Sequence, residues 1–137
     1  MSITQLTVFL ENRSGRLAEI ADVLGKAGVN IRGFSTTEAA EYGIVRLIVP
    51  DPRGVREILH KEGFTTHLSQ VVCVAVPDEP GGLARVLDEL AAQGVSVDYL
   101  YSISFQNICF AVHDVERAVE LLKDKVTLLS DEDVKRL

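Results

Sequence analysis

The sequence predicts an α+β fold of two βαββαβ units, each an antiparallel sheet with its helices on one face, and three observations carry that prediction. The chain repeats itself; strand-like alternation and helical spacing follow the same order in each repeat; and glycines and N-cap residues fall at equivalent joints. Sliding by 66 residues sets ENRSGRLAEIADVLGKAGVNI (11–31) against PDEPGGLARVLDELAAQGVSV (77–97), with Gly15 on Gly81, Leu17 on Leu83, Leu24 on Leu90 and Gly28 on Gly94. After the loop near Ala40 the offset drops to 63, so IVRLIVPDP (44–52) meets NICFAVHDV (107–115) and three residues are lost from the second hairpin.

The first strand of each copy alternates, with Leu6, Val8 and Leu10 or Val72, Val74 and Val76 on one buried face. The first helix follows with Leu17, Ile20, Ala21 and Leu24, or Leu83, Val86, Leu87 and Leu90, the stripe of a helix lying on a sheet. Gly28 and Gly94 sit where such a helix takes a left-handed C-terminal cap. The second helix opens on Asp51-Pro52, an N-cap followed by proline, and on Asp114 in the other copy; it packs Val55 and Leu59, or Val115, Ala118, Val119 and Leu122. Right-handed crossovers put both helices of a unit on the same face, which is the ferredoxin-like arrangement. The boundaries read as 1–69 and 70–137. FTTHLSQVVCVAV (64–76) joins the copies without a flexible linker, so the sheets are expected side by side. SDEDVKRL at the end reads as a short helix capped by Ser130.

Charge and composition exclude several functions. Residues 1–69 carry eight basic and eight acidic side chains and residues 70–137 carry six and twelve, so neither copy has the basic footprint of a nucleic-acid binder. No run is apolar for the roughly 20 residues of a membrane span, and the N-terminus lacks the pattern of a secretory signal; the expectation is a cytoplasmic protein. Cys73 and Cys109 have no CxxC spacing, and His60, His67 and His113 fall on three different elements, so a metal site is not expected. No motif calls for a cofactor.

The loops NRSGRL and DEPGGL are the candidate site. They lack the lysine and hydroxyl of a phosphate loop and the GxGxxG of a dinucleotide fold, and Ser14 has no recurring histidine to activate it. Pro80 and Gly81 read as the start of a helix, with the glycines as a strand-to-helix hinge. Free N–H groups at a helix start also attract a carboxylate, and the missing side chain at Gly15 or Gly81 allows close approach. Arg13 and Arg16 reinforce that field in the first copy, whereas Asp78 and Glu79 oppose it in the second, so the loop at 12–17 is expected to bind a carboxylate better.

D-x-P-G-x-L after a first strand, then a helix ending in G-V-x-V or G-V-N-I, resembles the ACT domain, over residues 3–129 and in both copies. The resemblance is to stand-alone tandem ACT proteins without a catalytic domain. It implies a non-catalytic regulatory protein that holds an amino acid between neighbouring units, by the loop after strand one of one unit and strand two of the other. By position it implicates Asn12, Arg13, Ser14, Gly15, Arg16 and Leu17, their counterparts Asp78, Glu79, Pro80, Gly81, Gly82 and Leu83, and Asn30 and Ile31 with Ser96 and Val97. First-copy Ser14 stands where the family pattern has proline. Asp78, or the side-chain oxygen of Asn12 or Asn30, would accept from the ligand ammonium. Tyr99 and Tyr101, on the second copy's strand two, read either as packing or as an apolar wall favouring an aromatic or branched amino acid.

Parity sends Phe9, Ile44, Ile48, Cys73, Ala75, Cys109 and Ala111 to the face away from the helices, where they would leave a large apolar surface; a homodimer is expected to cover it. A metabolic enzyme is a further expected partner. Two alternatives stay open: a structural module that dimerises without a ligand, and a small lyase or isomerase using Asp78 and Glu79.

Overall fold

The structure, a computed structural model, describes residues 1–11, 14–38, 41–104 and 106–137. The elements run β1 (Ile3–Glu11), α1 (Arg16–Lys26), β2 (Gly33–Glu38), β3 (Tyr42–Ile48), α2 (Pro52–Lys61), β4 (Thr65–Ala75), α3 (Gly82–Ala92), β5 (Val97–Ser102), β6 (Asn107–Val112), α4 (Val115–Leu122), β7 (Thr127–Leu128) and α5 (Asp131–Lys135). The chain forms two compact units, Thr4–Ser69 and Gln70–Leu137, the latter together with Met1–Ile3. Strand β4 spans the boundary, with residues 65–69 in the first unit and residues 70–75 in the second.

In the N-terminal unit the strand order is β2-β3-β1-β4, and β3 is antiparallel to both β1 and β2. Its core is Leu6, Val8 and Leu10 of β1, Val45 and Leu47 of β3, and Ile20, Leu24, Val55 and Leu59 of α1 and α2. In the C-terminal unit β5, β6, β4 and β7 lie in that order, all antiparallel, under Val86, Leu90, Ala118 and Leu122 of α3 and α4. The mixed α+β architecture of two βαββαβ units with antiparallel sheets is therefore as the repeat predicts. Gly28 and Gly94 take positive φ (75° and 71°), and Asp51, Asp114 and Ser130 cap α2, α4 and α5 through their side chains.

Three expectations are corrected. Pro80 is not in a helix: the N-cap of α3 is Gly81, whose left-handed φ of 84° interrupts a right-handed helix, so the helix begins at Gly82 and leaves Pro80 outside it. The stripe of α1 is only half covered: Ile20 and Leu24 are buried, whereas Leu17 is 51% exposed and Ala21 is exposed too. The face away from the helices is less bare than parity alone suggests. Ile48, Cys73 and Cys109 are fully buried, and that face of β1 carries polar Gln5 and Thr7, with Gln5 Nε2 donating to Ser69 Oγ at 3.3 Å.

Among the described residues no helix is long and apolar enough to cross a membrane, and no cluster of His, Cys, Asp or Glu is placed to hold a metal ion.

Candidate functional site

The two repeat loops solve the same local problem in the same way. Each delivers a strand into a helix through a left-handed glycine N-cap, Gly15 (φ 88°) before α1 and Gly81 (φ 84°) before α3. Glycine brings no side-chain acceptor, so neither helix start is capped by its N-cap side chain. The contrast with α2, α4 and α5, closed by Asp51, Asp114 and Ser130, is one of chemistry: no N-cap side chain occupies the first N–H groups of α1 or α3, although in α3 the Gly82 N–H is already given to Glu79 O. A side chain built at Gly15 or Gly81 would meet nothing within 4 Å, so the space beside both glycines is open. Gly82 differs: a Cβ there would lie 2.3 Å from the Pro77 carbonyl oxygen, so the start of α3 is pressed against the end of the preceding strand. The turn is held by the Glu79 N–H donating to Pro77 O (2.9 Å) and the Gly82 N–H donating to Glu79 O (3.0 Å).

The charges are already committed in part. Arg16 ion-pairs with Glu19 (2.6 Å) and lies 3.8 Å from Glu11, while its guanidinium carbon sits 4.4 Å from the centre of the buried Phe64 ring. Arg16 thus braces α1 against its own unit, with two carboxylates offsetting its charge. In the second loop Glu79 pairs with Arg85, and Asp78 is exposed. Asn12 and Arg13 lie outside the described residues; Ser14 and Gly15 are exposed.

A depression of about 330 Å³ brings Asp78, Glu79, Pro80 and Leu83 together with Val76, Pro77, Gln106 and Ile108. In the N-terminal unit, a separate cavity of about 180 Å³ joins Leu17 and Ile31 to Ile20, Ala21, Phe34, Val45 and Leu47, and its walls are almost wholly carbon. Asn30 is exposed next to Ile31. Ser96 lines a different depression, with Gly94, Asp98, His113 and Arg117, and within its unit it is not gathered with residues 78–83. Val97 packs partly against the core. Tyr99 and Tyr101 stack with ring centres 6.4 Å apart and planes 11° apart, each half-buried. They stand opposite Ala111 and Cys109, on the face away from α3 and α4, and Tyr101 hydrogen-bonds Cys109.

Sequence reasoning missed Gln106 and Ile108 beside the second loop, and Phe34, Val45 and Leu47 around Leu17. A usable signal existed for the first pair. Once β4 and β6 are paired in register, the Val76 N–H meets Gln106 O (2.8 Å), which places the hairpin end next to Pro77. For the second group, the strand alternation names the right face but not the gap above it.

The family model of the ACT domain pair matches residues 1–137. Protein BT0572 from Bacteroides thetaiotaomicron is similar in structure, with a TM-score of 0.94 and 38% identity over 100% of this chain and 98% of that one. The ligand-free regulatory subunit of aspartate kinase from Thermus thermophilus shares the fold at a TM-score of 0.63 and 14% identity, over 88% of this chain and 90% of that one. Aspartokinase III from E. coli, in complex with lysine and aspartate, does so at 0.51 and 17% identity, over 90% of this chain and 31% of that one. No curated protein matches the chain.

Proposed function

We propose, on the premise that this chain belongs to the family of paired ACT domains, that it is a non-catalytic regulatory protein which binds a free amino acid at its strand-to-helix loops. The observation that carries this reading is the repeated uncapped helix start behind a left-handed glycine, in a molecule whose other helices are closed by side chains. The ligand carboxylate lies on the N–H groups of α1 or α3, where the positive end of the helix adds roughly 0.3–1 kcal/mol. An apolar side chain suits the carbon-lined cavity beside Leu17 and Ile31, which supports an aromatic or branched amino acid. Aspartokinase III, of the same fold, is in complex with lysine and aspartate, which puts amino acids first among the ligands to be tested.

The two loops are unequal in this reading. Asp78 is exposed at the second loop, whereas Ser14, Gly15 and Leu17 of the first bring no carboxylate. Because Arg16 is offset by Glu11 and Glu19, the preference for the first loop rests on Asp78 opposing the second and on Arg13 assisting the first. The chain acts as a homodimer, and occupancy shifts that assembly or its contact with a metabolic enzyme. On the face away from the helices Phe9 stays 37% exposed, which supports a covered surface in the assembled state.

Thermal denaturation of the full chain against the twenty amino acids tests the reading. A selective rise with one chemical group of amino acids is expected, and a flat profile would leave only the structural module. Ser14→Asp then separates the loops: it weakens the first site at least tenfold, about 1.4 kcal/mol, whereas Asp78→Ala leaves that site unchanged.

A further inference from the structure

We propose that Cys73 and Cys109 form a reversible oxidation site, an internal cross-strand disulfide in the C-terminal unit. The two are free thiols directly opposite one another on antiparallel β4 and β6. The type of pairing follows from the ladder. Val76 donates to Gln106, so the Val76/Gln106 pair is hydrogen-bonded; bonded and non-bonded pairs alternate, which makes Cys73/Cys109 a non-bonded pair. On the other side of β4 the Cys73 carbonyl accepts from the Leu129 N–H at 2.8 Å, as a residue turned away from β6 must. Such pairs place their Cα atoms about 4.5 Å apart, inside the range of roughly 4.4–6.8 Å that a disulfide spans. Val72, Val74 and Phe110 point into the core under α3 and α4, so both sulfurs project from the same, opposite face of the sheet.

Both thiols are fully buried, which sets when they react. The hydrogen bond with Cys73 and then burial push the Cys109 thiol well above its ordinary range, while Tyr101 opposes them weakly, so the closed form holds little thiolate. Access therefore requires a local opening of the C-terminal unit. The oxidant is hydrogen peroxide. One thiol releases its proton and its sulfur attacks the O–O bond; an S–O bond forms, the O–O bond breaks, and the departing hydroxide takes up that proton and leaves as water, giving a sulfenic acid. The second sulfur displaces that hydroxyl, an S–S bond forms, and a second water leaves; two electrons pass from the sulfurs to the peroxide. The product ties together β4, which ends at Ala75, and β6, which begins at Asn107, at the base of the second loop.

Hydrogen peroxide added to the full-length protein tests this independently of any amino-acid ligand. The expected result is loss of both alkylatable thiols together, a peptide map joining Cys73 to Cys109, a rate independent of protein concentration, and reversal by dithiothreitol. The oxidised protein is expected to melt higher by about 5 °C or more, and Cys109→Ala to show no such gain. Two thiols still alkylatable after unfolding, a disulfide only between chains, or the same melting shift in Cys109→Ala would each overturn the proposal.

Discussion

Adjacent glycines in one loop are asked for different things. Gly81 needs a left-handed backbone in open space, whereas Gly82 needs the absence of a side chain, since a Cβ would lie 2.3 Å from Pro77 O. Gly15→Ala, which meets no atom within 4 Å, carries only the conformational cost of about 1 kcal/mol. Gly82→Ala must displace Pro77 or α3 and is expected to cost about 2 kcal/mol or more, despite alanine's better helix propensity. Urea midpoints of the two variants compare them directly. The glycine positions were legible because the repeat aligned Gly15 with Gly81. The role of Arg16 was not: Glu19 is a local i,i+3 partner on α1, but Phe64 lies far along the chain and Glu11 is recognised as a counter-charge only when α1 is seen folded back beside β1.

Equivalent elements bear equivalent loads where the stripes are filled. Leu24 of α1 and Leu90 of α3 are both buried against their sheets. Leu24→Ala and Leu90→Ala are each expected to cost about 2–5 kcal/mol, read by chemical denaturation as loss of the corresponding unit. The stripes differ at their first turns, and there the sequence was a poorer guide. Leu17 and Leu83 align, yet Leu17 rims an open cavity. Periodicity assigns a residue to a face; whether anything fills the space over it depends on neighbours such as Phe34 and Leu47, which no local pattern announces. The same limit explains Cys73 and Cys109, whose face was predicted and whose direct opposition across β4 and β6 was not. Helix α5, by contrast, was legible from Ser130 alone. Its Asp133 carboxyl lies below the ordinary carboxylate range because the Ser130 N–H and then its hydroxyl donate to it, with Arg136 assisting. A lowered pKa in the folded state stabilises above the unfolded value of 3.8 and is lost as the pH falls through the folded value. Acid is therefore expected to fray α5 first, and Asp133→Asn to remove that pH dependence from amide exchange of residues 130–137.

At the scale of the molecule, two units of one design carry unequal loops, and in the proposed function the ligand carboxylate is read by backbone rather than by a fixed cation. The proposed homodimer belongs to this scale as well. Phe9→Ser removes the exposed large apolar side chain on the face away from the helices and is expected to shift the chain from dimer to monomer in sedimentation at micromolar concentration; a wild-type monomer under those conditions would refute the assembly. The central claim is that free helix N-termini hold the ligand carboxylate. It is tested most directly by titrating the full chain with a stabilising aromatic or branched amino acid and, in parallel, with its carboxamide, following thermal denaturation. The account predicts stabilisation approaching about 2.7 kcal/mol at a hundred times the dissociation constant for the free acid, and none for the amide. Equal stabilisation by both, or no response to any amino acid, would contradict it.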